Sequence, residues 1–237
     1  EKESKFLRST FSQEEDITRH FQVPNGEFQK VPGTPVCYSV PDIIRELHDT
    51  DSRFDPTAPQ FKVEGDAVAS VAKGMDTGNN DRFIREHWEV TADPGFVPYA
   101  KGGTDAWVLP KVTKTLYWGD RGEELRSYES ALLKNEELFW RSGLTWTYVK
   151  ETGRRFGYFP ENGVFDGTGC MLFSERTDLS DWQLMGALNS PLYHILMLSL
   201  TPERHWQVGD VGRLPWIEVL GDIDVIERTA VKQYQLA

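Results

Sequence analysis

The chain has 237 residues, 39% of them hydrophobic, with eight Trp, thirteen Phe and a net charge of −11; that length suits one large or two small domains with a substantial aromatic core. The charge excludes a surface that attracts nucleic acid everywhere, so a basic footprint has to be local. The two cysteines, Cys37 and Cys170, have no CxxC or other metal spacing, which excludes a disulfide scaffold and fits a reducing cytoplasm.

Residues 1–38 read as irregular, punctuated by VPNGEF and VPGTP. VPDIIRELHDT, residues 40–50, predicts a short helix behind Pro41. QFKVEG predicts a strand, and after GMDTGNN the stretch DRFIREHWEV is helical or extended. A Gly/Pro-rich loop, PGFVPYAKGGTDAW, leads to short strands at AWVL and KTLYWG. Apolar residues at 125, 128, 132, 133, 138 and 139 predict a helix over EELRSYESALLKNEELFW, with a break near Asn135. LTWTYV, RFGYF, GVFDG and CMLF predict a glycine-punctuated meander. SDWQLMGALNSPLYHILMLSLTP predicts the strongest helix, N-capped by Ser180 and open to a break at Pro191. WQVGDVGRLPWIEV reads as loop and strand, and DVIERTAVKQYQLA as a C-terminal helix. The longest apolar run, residues 192–200, includes His194 and Ser199 and is too short to cross a bilayer. With no signal peptide in view, no membrane partner is expected and the location expected is cytoplasmic. The chain begins without Met, in EKESKFLRST, and we expect a piece of a longer protein.

The densest punctuation is KGMDTGNNDRF, residues 73–83. It lacks the Lys that follows the second glycine of a phosphate-binding P-loop, and it is no Gly-x-Gly-x-x-Gly dinucleotide turn. Physics alone leaves a turn with Asn79 or Asn80 as a helix N-cap. The five histidines are scattered, and His194 on its apolar helix reads as a core residue. DTDSRFDP, residues 49–56, lacks the spacing and terminal Glu of a calcium loop and reads as a solvated loop. There is no nucleophile elbow or zinc signature.

Six stretches, in order over roughly residues 28 to 215, carry a resemblance: FQKVPGTPVCYSVPDIIRELHD, KGMDTGNNDRFIREHWEV, FVPYAKGG, NEELFWRSGLTWTYV, FGYFPENGVFDGTGCMLF and LMGALNSPLYHILMLSLTPERHWQVGDVGRLP. Together they resemble the region beyond the catalytic domain, where DNA specificity resides, of large bacterial adenine-specific DNA methyltransferases. These are the BREX phage-exclusion type (the PglX family) and the related fused restriction-methyltransferases. The resemblance implies S-adenosylmethionine in the intact enzyme, but the catalytic motifs are missing here. There is no Phe-x-Gly-x-Gly, and NSPLY, residues 189–193, lacks the second proline of the Asn/Asp-Pro-Pro-Tyr/Phe loop that holds a flipped adenine. We therefore expect no cofactor and no catalytic residue in this chain.

Charge is consistent with a local footprint. Residues 95–160 carry ten Lys/Arg against eight Asp/Glu, a net of +2, which leaves −13 on the remainder. Bases are read by Arg, Lys, Asn, Gln, Ser and Thr, while cations and backbone amides hold phosphates. If LTWTYV and RFGYF form a hairpin, Lys150, Arg154 and Arg155 lie at its tip, with Arg141, Thr145 and Thr147 on its first arm. The same hairpin reads equally as a solvated one whose aromatics are core. A second loop offers Lys101, Gly102 and Thr104, flanked by Lys111 and Lys114. Thr77, Gly78, Asn80 and Arg82 are candidates for supporting it, or for a plain turn. Asp166 either accepts from a cytosine amine or shapes its turn.

The reading is a mixed α/β (α+β) target-recognition domain, with short twisted β-sheets carrying the recognition loops and the 180–200 helix packed behind them. Its expected organisation is a connecting segment over 1–72, a recognition domain over 73–220 and a C-terminal helix over 221–237. Expected partners are double-stranded DNA, the N-terminal methyltransferase domain of the same protein and other proteins of a bacterial or archaeal defence complex. The alternative is an acidic protein-interaction module or DNA mimic.

Overall fold

Strand β10, Met171–Ser174, is apolar on both faces, and the layering follows from that. Neighbouring side chains on a strand point to opposite sides of the sheet. Leu172 joins a core with Val71, Leu144, Trp146 and Phe156, whereas Met171 and Phe173 join a second core with Met75, Tyr99, Leu116 and Phe165. A sheet buried on both faces needs a layer on each side. The computed structural model describes residues 22–58, 62, 64–91, 93–102, 112–149, 156–201, 205–218 and 232, and it contains both layers.

The central sheet has the order β3 (Ala69–Ala72), β10, β7 (Gly143–Trp146), β8 (Phe156–Phe159), with every pair antiparallel. One face is covered by helices α5 (Asp181–Leu188), α6 (Pro191–Leu200) and α7 (Val208–Gly212). Facing the other is a sheet ordered β4 (Ile84–Glu86), β6 (Lys114–Tyr117), β5 (Phe96–Ala100), β9 (Val164–Phe165), whose β5–β9 pair is parallel. Helices α1 (Asn25–Phe28) and α2 (Asp42–Glu46) and the parallel two-residue strands β1 (Ser52–Arg53) and β2 (Asp66–Ala67) precede β3. The protein is thus a mixed α/β assembly of several short sheets and helices. Val31, Ile44, Phe54 and Val68 share the core of Leu144, Leu196 and Trp216, and β3 pairs along β10. The described part of the expected connecting segment is therefore built into the same body as the residues after 73.

Several local expectations change. Phe54 is fully buried and Asp55 nearly so, so DTDSRFDP is not a solvated loop. The Asp55 carboxylate accepts from Thr57 N, Thr57 Oγ1 and Val71 N, tying this loop to β3. The helix expected through residue 139 stops after α4 (Gly119–Ser127). Tyr128 is extended, Asp76 and Leu132 exchange both backbone hydrogen bonds, Asn135 is left-handed, and a 3-10 turn covers Glu136–Leu138. Pairing with the Asp76 strand segment outweighs the helical periodicity there. WQVGDV forms the short buried helix α7 in place of a loop and strand. AWVL, half of QFKVEG and the C-terminal helix apart from Lys232 lie outside the described residues, and Lys62, Glu64 and Gly65 of QFKVEG belong to no strand.

Ser180 caps α5 as the sequence indicates. Its Oγ accepts from Gln183 N at 3.3 Å, and the Ser180 N–H donates to Gln183 Oε1 at 2.8 Å. Pro191 opens α6 at its first position, where the missing N–H costs nothing. Ser180→Ala should lower the unfolding free energy by about 1 kcal/mol and Ser180→Asp by much less, as read from urea midpoints. Equal losses would mean that the cap contributes nothing.

Candidate nucleic-acid interface

Three loops that are distant in sequence meet at Asp166. Backbone bonds bring them together: Asp166 N donates to Ala100 O, Gly167 N to Met75 O, and Gly74 N to Asp166 O. The Asp166 carboxylate then fixes the side chains. Oδ1 accepts from Thr168 N at 2.8 Å and Thr168 Oγ1 at 2.5 Å. Oδ2 accepts from the Tyr99 hydroxyl at 2.6 Å and lies 3.2 Å from Lys101 Nζ. Burial alone would push this carboxyl up. The hydrogen bonds from Thr168 and Tyr99, with the Lys101 charge, outweigh it and hold the carboxyl below the ordinary carboxylate range. Burial first, then the facing carboxylate, pushes the Tyr99 phenol well above its ordinary value, so it stays a donor. Of the two roles open to Asp166, the geometry is that of turn-shaping.

The GMDTGNN loop forms the second wall. Gly78 has φ +65, and a side chain there would collide with Ser130 O. Asn79 caps α3 (Asn80–Phe83), its Oδ1 accepting from Arg82 N at 3.1 Å. Thr77 is fully buried and donates to Asn80 Oδ1 at 2.8 Å. Lys101 Nζ lies 3.5 Å from the same oxygen. Asn80 is itself exposed, and its amide nitrogen has no partner among the described residues. Gly102 has φ +99, and a methyl there would sit 3.6 Å from Thr168 O, 3.7 Å from Trp146 O and 3.8 Å from Thr147 Cα. So Lys101, Gly102, Thr147, Thr77, Gly78 and Asn80 are brought to one place.

The other sequence candidates are not. Lys114 is paired with Glu86 on the neighbouring strand. Arg82 donates to Glu124 and lies over the rings of Phe83 and Tyr128. Arg141 lies over Phe173, 3.5 Å from Glu175, beside a cavity of about 510 Å3 lined also by Trp140, Tyr158 and Trp182. Thr145 is 1% exposed between the sheets, with no hydrogen-bond partner for its hydroxyl among the described residues, which corrects its expected place on a readable surface. Thr104, Lys111, Lys150, Arg154 and Arg155 lie outside the described residues. Their attachment points are described, however. The described chain stops at Gly102 on one side, and at Val149 before resuming at Phe156, which pairs with Trp146, on the other. Gly102 lies near Trp146 O, beside the β7–β8 pair.

The NSPLY stretch is a structural anchor. Asn189, the polar head of NSPLY, has its side chain engaged: Oδ1 accepts from Phe156 N at 3.0 Å and Nδ2 donates to Phe156 O at 2.7 Å. It anchors the first residue of β8 and presents nothing to an amino group. Both cysteines are buried free thiols, and burial pushes Cys170 up to about 12, so neither offers a thiolate. Among the described residues no group of three or more His, Cys, Asp or Glu side chains is placed to hold a metal ion, and no helix is long and apolar enough to cross a membrane.

No protein-family model matches the chain. It is similar to two curated adenine-specific methyltransferases. One, BrxX of Escherichia coli O9:H4 (strain HS), is 27% identical over 204 residues, which cover 81% of this chain and 16% of that protein. The other, PglX of Lacticaseibacillus casei (strain Zhang), is 25% identical over 236 residues, covering 90% of this chain and 18% of that protein. The chain thus spans under a fifth of the length of each.

Proposed function

We propose that this chain is the DNA sequence-recognition part of a site-specific adenine methyltransferase in a phage-defence system. In this reading it selects a duplex sequence for a catalytic domain that lies elsewhere in a longer protein, and S-adenosylmethionine is bound there. The observation that carries the reading is the Asp166 junction. An exposed Asn80 amide and the Lys101 ammonium stand side by side on a rigid base. Asn is suited to the edge of adenine and Lys to guanine or phosphate, and a site held by fixed backbone reads more sharply than a loose one. The likeness to two adenine-specific methyltransferases supports the methylation context.

The test is binding of the 237-residue chain to labelled duplexes selected from a random pool, followed by anisotropy across salt. Wild type should bind and weaken steeply between about 50 and 200 mM salt. Lys101→Gln should weaken all sequences alike, whereas Asn80→Ala should cost about 1–3 kcal/mol on the selected sequence and relax its preference. No selected duplex, or an Asn80→Ala variant with unchanged preference, would overturn the reading. The net charge of −11 and the carboxylate partners of Lys101, Lys114, Arg82 and Arg141 favour a second reading, an acidic protein-interaction module. Absence of duplex binding together with stoichiometric capture of a defence-complex protein would establish that one instead.

A further inference from the structure

The ion pairs sort the cations. Lys30, Arg82, Lys101, Lys114, Arg126, Arg141, Arg176 and Arg213 each have a carboxylate within ion-pair distance. Arg53, Lys62, Lys73, Arg85, Arg121, Lys134 and Lys232 have none among the described residues, and of these Lys73 and Lys134 line one cavity of about 480 Å3 between the end of β3 and the 3-10 turn. They are held on fixed backbone. The residues just after Lys73 are pinned to β9 by Gly74 N donating to Asp166 O and Met75 N to Phe165 O. Beside Lys134, Asn135 is left-handed (φ 53) and donates from Nδ2 to Lys73 O at 2.8 Å, which clamps the two lysine-bearing segments together. A non-glycine residue held left-handed persists where its surroundings impose it, and such residues gather at binding sites. The Lys73 ammonium also lies 5.4 Å over the Tyr148 ring, which restricts its side chain.

The remaining lining is apolar in part and acidic at one residue. Val71, Ala72, Leu138 and Val208 are apolar. Asp55 lies on the same wall, but its carboxylate already accepts from Thr57 and from Val71 N. Two lysines lining one cavity attract an anion more strongly than either alone. Lys73 opens the KGMDTGNN stretch, so the cavity adjoins the Asp166 junction through seven residues of chain.

We propose that the Lys73–Lys134 cavity is a phosphate site that holds a backbone phosphate of the duplex read at the Asp166 junction. The inference rests on the DNA-recognition reading and adds to it a contact that reads no base. Lysine contacts to phosphate act on all sequences alike and register as salt dependence.

The experiment compares wild type, Lys73→Gln/Lys134→Gln and the control Lys30→Gln/Arg176→Gln, which removes the same charge from ion-paired positions. Anisotropy with the selected duplex is measured across salt, and thermal shift with inorganic phosphate and with a nucleoside monophosphate against matched chloride. For Lys73→Gln/Lys134→Gln the salt slope should fall by about 1 per lysine removed, with affinity at 50 mM salt down at least tenfold, sequence preference unchanged and the control unaffected. Phosphate should raise the wild-type melting temperature and not that of the double variant. Wild-type duplex binding with an unaltered slope in the double variant would sink this proposal and leave the recognition reading standing. No duplex binding by wild type would sink both. If the double variant binds duplex like wild type but loses stabilisation by the mononucleotide, the site takes a free phosphate compound and the proposal of a backbone contact is wrong.

Discussion

Asp166→Ala is expected to lower the unfolding free energy by about 3 kcal/mol, among the larger effects of any single side chain in this protein. The carboxylate is 6% exposed and collects four interactions: Thr168 N, Thr168 Oγ1, Tyr99 OH and Lys101 Nζ. Removing it leaves the Tyr99 hydroxyl, on a residue only 1% exposed, with no acceptor. It also leaves a mostly buried ammonium without its counter-charge. Both penalties follow from stranding a buried partner, which costs more than the bond itself contributes. Asp166→Asn keeps the shape and loses the charge, so its loss should be roughly half. Tyr99→Phe should cost less in an Asp166→Asn background than in wild type, because the two groups act through one bond. The carboxyl is held below its ordinary value when folded. Its contribution is therefore present above the unfolded carboxylate range near pH 4 and disappears as pH falls through the lower folded value. Denaturant titrations between pH 3 and 7 check this. If Asp166→Asn shows the same acid limb as wild type, the carboxylate is not carrying the junction.

The junction was legible in the sequence only in pieces. Gly-Thr directly after Asp166 signals a side chain that bonds two residues onward, and Gly78, Asn79 and Gly102 mark backbone turns. Short apolar runs punctuated by glycine gave β7, β8 and β10, and Ser180 gave the start of α5, because local patterns dictate those elements. Which acid meets which base was not legible, since Lys101 finds Asp166 and Arg82 finds Glu124 across 65 and 42 positions that no local pattern links. Of the cations selected by composition, Lys101, Lys114, Arg82 and Arg141 prove to be intramolecular partners, while Lys73 and Lys134, with no composition signal, have no carboxylate partner among the described residues. Thr145 failed for a related reason. A threonine in an alternating strand looks outward-facing until a second sheet covers that face. The helix expected over 128–139 failed because its apolar spacing also suits two separate contacts, Tyr128 on Phe83 and Phe139 on Phe165.

Mild acid should destabilise the chain through one histidine. His48 is fully buried, and its Nε2 lies 2.7 Å from Ser199 Oγ. Ser199 donates its proton to Leu196 O, so the imidazole donates from Nε2 and is neutral, with Nδ1 lacking a partner among the described residues. A second proton would place a cation in the core, beside the guanidinium groups of Arg53 and Arg213, with an N–H that meets no acceptor. Burial, then those two positive charges, lowers its pKa to about 3. The unfolded chain takes up that proton near pH 6.5 and the folded chain does not. Stability is therefore constant above that range and falls by about 1.4 kcal/mol per pH unit down to about pH 3. Between pH 7.5 and 5.0 the loss should be about 2 kcal/mol, in a window that carboxylates at their usual values do not reach. His48→Met retains an apolar filler and removes the proton site, so its stability should be nearly flat over the same interval. Falling pH also relieves the self-repulsion of a chain carrying −11, but equally in both proteins, so the difference between the two curves isolates the imidazole. Parallel curves would mean that His48 takes up its proton in the folded state, with Ser199, Arg53 and Arg213 arranged differently around it.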